Sequence, residues 1–239
     1  MTNPKVFIGT AGWSIRRALS DDFPEEGSQL ERYAARMNCV EINSSFYRSH
    51  QPKTYERWAA STPADFRFAV KLPKQITHER RLVDAGDLVK AFASEAEGLG
   101  HKWAVLLVQL PPSLHFDADV AGAFFEVAHA QFKGALVCEP RHASWFSPEA
   151  GKFLRRAKVS RVATDPSKWP GSDEPGGWTT AVSYFRWHGS PRVYWSAYDH
   201  AWLQERARNL PDSPACWCIF DNTASGAALD NARRLQAMA

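Results

Sequence analysis

Charged and amide residues recur at one kind of place in this sequence, the ends of short apolar runs. Glu41 and Asn43 close the run Cys39–Ile42, Lys71 ends Phe66–Lys71, and Gln109 ends Ala104–Gln109. Glu139 and Arg141 finish Ala135–Glu139, Asp165 follows Val159–Ala163, Arg186 and His188 close Ser183–His188, and Asp221 and Asn222 follow Cys216–Phe220. These residue types suit proton transfer and anion recognition. Glu41 and Glu139 serve as base or acid according to their surroundings, since a nearby cation lowers a carboxylate pKa and desolvation raises it. His188 titrates near neutral pH unaided. The planar forks of Arg141 and Arg186 match a carboxylate or phosphate, and Asn43, Gln109, Asp221 and Asn222 can orient a ligand's polar groups. Lys71 has two readings. Depressed by Arg67 or Arg186, its amine would form a Schiff base with a carbonyl substrate. Paired with Glu41, the more usual state of a buried lysine, it would belong to an internal ion-pair network with Glu139 and Arg141.

The elements that position these residues follow from periodicity. Eight β-rich runs are present, the seven bounded or followed by the residues above and Val6–Thr10 at the start. Helical patterns separate most of them: Gly27–Asn38, Thr54–Ala60, Leu88–Gly98, Val120–Ala130, Pro148–Ala157, Asp199–Asn209 and Gly226–Met238. Ser147-Pro148-Glu149 reads as an N-cap followed by proline at the first helical position. Alternation of this kind needs a parallel sheet with helical crossovers, and eight repeats favour closure. The expectation is an α/β protein, a TIM-type (β/α)8 barrel forming a single domain over residues 1–239. A Pro- and Gly-rich loop, Thr164–Thr180, stands where a sixth helix would be.

In that fold the polar strand ends converge on the catalytic face. The two-residue strand period turns Glu41 and Asn43, Arg67 and Lys71, and Tyr184, Arg186 and His188 inward. Trp13, Tyr47, Trp145 and Trp169 fall in loops at the same mouth, where they would stack on a sugar or base. The other tryptophans lie on or beside strands and helices as core. Arg16, Arg17, Arg48, Lys74, Arg80 and Arg81 rim the mouth.

Composition excludes several classes. Hydrophobic residues make up 44% and charged residues 23% of 239, an ordinary globular balance. A net charge of +3 is too small to argue for a nucleic-acid surface and tilts only toward small anions. Cys39, Cys138, Cys216 and Cys218 lie in apolar runs, and a lone C-x-C without a second pair reads as structural thiols. The first residues lack a signal-peptide pattern and no apolar stretch is long enough for a bilayer, so no membrane association and a cytoplasmic location are expected.

Several motifs occur in order along the chain: Glu41-Ile-Asn-Ser-Ser-Phe-Tyr47, Lys71-Leu-Pro-Lys-Gln-Ile-Thr-His78, Gln109-Leu-Pro-Pro-Ser113, Glu139-Pro-Arg-His-Ala-Ser-Trp145, Arg186-Trp-His-Gly189 and Phe220-Asp-Asn-Thr223, with Ile8-Gly-Thr-Ala-Gly-Trp13 at the start. Together they resemble the YecE-like family, domain-of-unknown-function family 72. The resemblance covers essentially the whole chain and implies a TIM-barrel-like fold, but it supplies no reaction.

The residues themselves favour a small-molecule site, for an anionic or polyhydroxylated ligand, worked by acid/base chemistry. Glu41, Lys71, Glu139 and His188 are its expected catalytic groups. Asn43, Tyr47, Gln109, Arg141, Trp145, Arg186, Asp221 and Asn222 are its expected binding groups, with no cofactor. A metal-dependent phosphoesterase is the first alternative, since Glu41, Glu139, Asp165, Asp221, His78, His142 and His188 are divalent-metal ligand types. Interleaved Lys and Arg count against it. A nucleic-acid-binding or non-catalytic barrel is the other alternative, and oligomeric state is left open.

Overall fold

The computed structural model describes residues 5–239; residues 1–4, where the signal-peptide reading begins, lie outside the described residues. Strands and helices alternate as β1 Lys5–Thr10, α1 Gln29–Ala34, β2 Cys39–Ile42, α2 Pro52–Ala60, β3 Arg67–Lys71, α3 Gly86–Ala96, β4 Trp103–Gln109, α4 Ala118–Gln131, β5 Ala135–Glu139 and α5 Pro148–Arg156. Then come β6 Val159–Arg161, β7 Ala163–Asp165, β8 Gly176–Gly177, β9 Ser183–Trp187, α6 His200–Arg208, β10 Ala215–Phe220 and α7 Ala227–Gln236. The helix starts obey local chemistry. Ser147 caps α5 by accepting from Ala150 N at 3.2 Å with Pro148 at the first position, and Asp199 caps α6 by accepting from Trp202 N at 2.8 Å.

The strands form two sheets rather than the single eight-stranded sheet read from the repeats. One is parallel, in the order β1-β10-β9-β7; the other runs β2-β3-β4-β5-β6-β8, parallel except for the short β8 against β6. The run Val159–Ala163 is divided because its segment changes partners. Val159–Arg161 pairs with β5, Ala163–Asp165 pairs with β9, and Val162 N between them still donates to Cys138 O at 2.8 Å. The stretch Thr164–Thr180 carries no helix, as expected, but it is not all loop: Thr164 and Asp165 belong to β7, and Gly176–Gly177 fold back as β8 against β6. The result is an α/β fold with parallel sheets, TIM-barrel-like in arrangement.

Where β1 passes β2 there is one bridge, Ala11 with Glu41, and Gly12 N donates to Glu41 O at 2.9 Å. Side chains complete this seam. Asn38 Oδ1 accepts from Ile8 N at 2.9 Å while its amide donates to Val6 O at 2.8 Å. Tyr33 Oη accepts from Thr10 N and donates to Cys39 O, both at 3.0 Å. Gly9 allows the close approach, since a Cβ there would stand 2.3 Å from Cys39 O.

Strand parity divides the core in two. Outward residues such as Val40, Phe68, Leu106, Phe185 and Cys218 pack under the helices. Inward residues, among them Ala69, Leu107, Val137, Val162, Tyr184, Trp217 and Ile219, form a second cluster between the two sheets. Phe7, Trp217 and Tyr184 occupy one row of β1, β10 and β9 and stack at centroid distances of 4.7 and 5.9 Å. They floor the polar layer described below. The four cysteines are free and buried, and among the described residues no helix is long and apolar enough to cross a membrane.

The seam is sensitive in a specific way. Gly9→Ala forces β1 away from β2, and Asn38→Ala strands a backbone donor and an acceptor, each costing about 1–3 kcal/mol. Urea unfolding should show both variants destabilised. A Gly9→Ala protein as stable as the parent would rule out the tight β1–β2 contact.

Candidate functional site

Two residues above the aromatic floor, the inward positions turn from apolar to charged. Arg186 of β9 is the hub. Its Nε and Nη2 donate to Glu41 Oε2 and Oε1 at 3.0 and 2.8 Å, Nη1 donates to Glu139 Oε2 at 2.5 Å, and Nη2 also donates to Asp221 Oδ2 at 2.8 Å. Four of the roughly five donors of a guanidinium are therefore used on three carboxylates. Tyr184, one strand period below, donates its hydroxyl to Glu41 Oε2 at 2.9 Å. Glu41, Glu139 and Arg186 are completely buried.

Toward solvent the network continues through Arg141 and His188. Arg141 Nε donates to Glu139 Oε1 at 2.6 Å, and its Nη2 also contacts that oxygen. His188 Nδ1 lies 3.0 Å from Asp221 Oδ2, and its Nε2 lies 3.3 Å from Arg141 Nη2 and 3.4 Å from Glu139 Oε1. His188 thus stands between the acceptor Asp221 on its Nδ1 side and both a donor, Arg141, and an acceptor, Glu139, on its Nε2 side. The turn after His188 is fixed by Gly189 at φ +93, where a Cβ would meet Ser196 O at 2.7 Å. Tyr194 then doubles back, its ring 5.4 Å from that of His188.

Electrostatics follow from these contacts. Burial pushes the Glu139 carboxyl upward, but Arg141, Arg186 and His188 outweigh it and hold the group well below its ordinary value. Burial likewise opposes Asp221, which Arg186 and His188 bring below the usual aspartate range. Lys71 shifts downward to about 8, through burial and then the repulsion of Arg186, against the pull of Glu41, Glu139 and Asp221. It has no ion-pair partner among the described residues. Instead its Nζ sits 4.1 Å from the centroid of Phe46, in the turn after β2 that Ser45 pins by donating to Lys71 O at 2.6 Å.

The structure therefore brings Glu41, Lys71, Glu139, Arg141, Arg186, His188 and Asp221 into one cluster, and it corrects several roles. Glu41 and Arg186 are sealed, and their charged groups are spent chiefly on each other and on the neighbouring carboxylates. Lys71 is not paired with Glu41, because Arg186 takes both oxygens of that carboxylate. Arg67 does not approach the mouth; it stands at the opposite end of β3 and donates to the Ala64 and Phe66 carbonyls. Trp145 is 1% exposed, with its indole donating to Leu114 O at 3.0 Å, and is core rather than a stacking surface. Asn222 spends its amide on Ser196 O and Asn231 Oδ1, bracing the loop after β10. Tyr47 is 71% exposed and Asn43 caps the turn Ser44–Phe46; neither hydrogen-bonds to the cluster. Gln109 shares the register row of Glu139 without a side-chain partner there. Asp165 accepts from Tyr198 Oη at 2.7 Å, and His142 stacks on His115 at 3.8 Å, both outside the cluster.

Sequence reasoning missed Phe46 and Tyr194 as site walls and His78 as a neighbour. The His78 ring lies 5.0 Å from Phe46, and burial, then Lys71 and Arg141, lower its pKa. The inward parity of Tyr184 was visible, but its bond to Glu41 needed the partner strand. Beside the cluster opens a cleft of about 260 Å³, lined by Arg141, His188, Phe146, Thr164, Ser167 and Trp169. A wider groove of about 340 Å³ under Tyr47 and Lys74 touches none of the seven clustered residues and is set aside on that ground.

Parallel α/β sheets carrying a charged cluster at their carboxyl ends define a TIM-barrel-like protein with a site at the strand mouth. Residues 7–239 match the protein family of unknown function DUF72, and the chain belongs to that family. It is 33% identical over 143 residues to UPF0759 protein YecE of Escherichia coli K12, a match covering 53% of this chain and 50% of the relative, so the chain spans about half the length of that protein. It is 22% identical over 271 aligned positions to UPF0759 protein YunF of Bacillus subtilis 168, covering 96% of this chain and 93% of the relative. Crystal structures of DUF72 family proteins from Enterococcus faecalis and Thermotoga maritima superpose with TM-scores of 0.80 and 0.77 at 19% and 23% identity, covering 98% of this chain and 94% and 98% of theirs. This likeness concerns the fold.

The hub predicts an inverted pH response. Glu139 and Asp221 bind protons less readily in the folded protein than when unfolded, so their contribution is complete above about pH 4 and disappears as pH falls toward their lower folded values. Arg186→Met leaves Glu41 without its counter-ion and takes one of the cations from beside Glu139 and Asp221, a loss of about 3–5 kcal/mol at neutral pH. Burial then weighs more heavily on Glu139 and Asp221, so the variant should gain stability relative to the parent as pH falls from 7 to 5. Thermal midpoints across pH, with Arg186→Lys as a second variant that keeps charge but loses the fork, read this directly. Parallel pH curves for parent and Arg186→Met would refute the hub.

Proposed function

We propose that the two sheets close into one eight-stranded barrel, a single domain whose mouth binds a small anionic molecule and acts on it by acid/base chemistry. The shared strand segment Val159–Asp165 and the Ala11–Glu41 bridge support the closure. The reading of the site rests on one observation: the His188–Asp221 pair stands beside Arg141 on the wall of the 260 Å³ cleft. Of the clustered charges, Arg141 is the one with a substantially open side chain, 28% exposed, against 4% for His188 and none for Arg186.

In this reading Arg141 receives the anionic group of the ligand and His188 exchanges the proton. Asp221 sets the imidazole tautomer and stabilises the cation formed when Nε2 takes a proton. Glu139 orients Arg141 from below, and its depressed pKa makes it an ionic anchor rather than a base. Trp169 in the cleft wall offers a face to a sugar ring or other flat or hydroxylated part of the ligand. The phosphoesterase alternative is weaker, because four oxygens of Glu41, Glu139 and Asp221 are already engaged by one guanidinium that a divalent ion would have to displace.

Imidazole NMR of His188 tests the reading with inorganic phosphate, acetate and glucose as probes. At least one anion should shift the His188 signals saturably, with affinity reduced about 10–100-fold in Arg141→Ala, the range expected for a lost charge-assisted hydrogen bond. Equal perturbation by neutral glucose, or unchanged anion affinity in Arg141→Ala, would remove Arg141 as the anchor.

A further inference from the structure

A buried lysine among three carboxylates ordinarily joins one of them. Lys71 does not. Glu41 is committed to Arg186 and Tyr184, Glu139 to Arg186 and Arg141, and Asp221 to Arg186 and His188. The lysine nitrogen instead faces the Phe46 ring at 4.1 Å, and it makes no hydrogen bond among the described residues. The residue is 5% exposed. A buried amine against an aromatic face, repelled by a neighbouring guanidinium and paired with none of the carboxylates around it, is the arrangement that makes lysine nucleophilic.

We propose that Lys71 forms a protonated imine with a 2-oxo acid, a small molecule whose carboxylate is held by Arg141 and whose ketone reaches the lysine. This deepens the preceding reading and rests on its anion site. The Lys71 lone pair attacks the ketone carbon, and the carbonyl oxygen takes up a proton as the nitrogen gives one up. The carbinolamine hydroxyl then takes up a second proton, drawn from solvent and relayed by the His188 imidazole, and its C–O bond breaks to release water. This leaves a C=N bond to Lys71 and a positive charge on nitrogen, with a net uptake of one proton and no change of oxidation state. The protonated imine formed is a cation facing Glu41 from β2, Glu139 from β5 and Asp221 after β10, with Arg186 of β9 and His78 of the segment after β3 as its other charged or titratable neighbours. Those carboxylates favour it over a neutral adduct.

With a pKa of about 8, Lys71 holds a few hundredfold more neutral amine near pH 7 than an ordinary lysine, on the order of 200–300-fold, so trapping should be selective. The full-length protein is incubated with pyruvate or 2-oxobutyrate, reduced with sodium borohydride and mapped by mass spectrometry. The expected result is a reduced adduct on the Lys71 peptide, in at least about tenfold excess over any exposed lysine, and absent from Lys71→Met and Lys71→Arg. Lys71 has no ion pair to lose, and circular dichroism confirms that the variants fold. Adducts spread over surface lysines, or none at Lys71 with either acid, overturn the proposal. His188 NMR, run with the same acids, separates the two readings. An Arg141-dependent shift without trapping sinks the imine and leaves the anion site standing, whereas neither shift nor trapping removes both.

Discussion

The guanidinium of Arg186 is the constraint on which the interior depends. Glu41 and Glu139 approach it from β2 and β5 of one sheet, Asp221 from the loop after β10 of the other, and Arg186 itself stands on β9. Without it three carboxylates would share a dry space at the sheets' carboxyl ends. Lysine has neither the planar fork nor enough donors to replace it. The hub also ties the two sheets across the core, a job that the β1–β2 seam does from the side with backbone, Asn38 and Tyr33.

Such a hub contributes little net stability, because desolvation of buried ions consumes most of their mutual attraction. Stability comes from elsewhere, from the outer cluster under the helices and from the Phe7–Trp217–Tyr184 floor. The charged layer therefore acts chiefly as a positioning device, holding Arg141 through Glu139 and His188 through Asp221. The exposure of the charged groups is graded along this device. Glu41, Glu139 and Arg186 are sealed, Lys71, His188 and Asp221 are nearly so, and Arg141 reaches solvent. Lys71, whose pKa falls to about 8, thus lies between the sealed core of the cluster and its exposed edge.

Parity carried most of what was legible in the sequence. Alternation alone turned Glu41, Tyr184, Arg186 and His188 inward, and polar strand ends located the mouth. Parity could not distribute partners. Both Lys71 and Arg186 faced Glu41 on paper, and only the three-dimensional arrangement of β2, β5 and β9 shows that the fork outcompetes the ammonium. Nor does parity measure depth, so Arg67 shared a face with Lys71 yet lies at the far end of its strand. Loop residues were the least legible. Trp145 and Tyr47 both occupy turns after strands, but one is held inside by its bond to Leu114 and the other projects into water. The single extended segment Val159–Asp165 serving both sheets was also invisible, since a change of pairing partner leaves no mark on hydropathy.

Charge balance links the hub to the mouth. Three carboxylates face two guanidiniums, so the cluster carries a net negative charge when Lys71 and His188 are both neutral and is balanced when either takes a proton. An anion held at Arg141, as proposed, would add negative charge and favour the ammonium form of Lys71 over the neutral amine. The proposed covalent cation at Lys71 would resolve that conflict, because it keeps the positive charge on the lysine nitrogen while the anion remains bound.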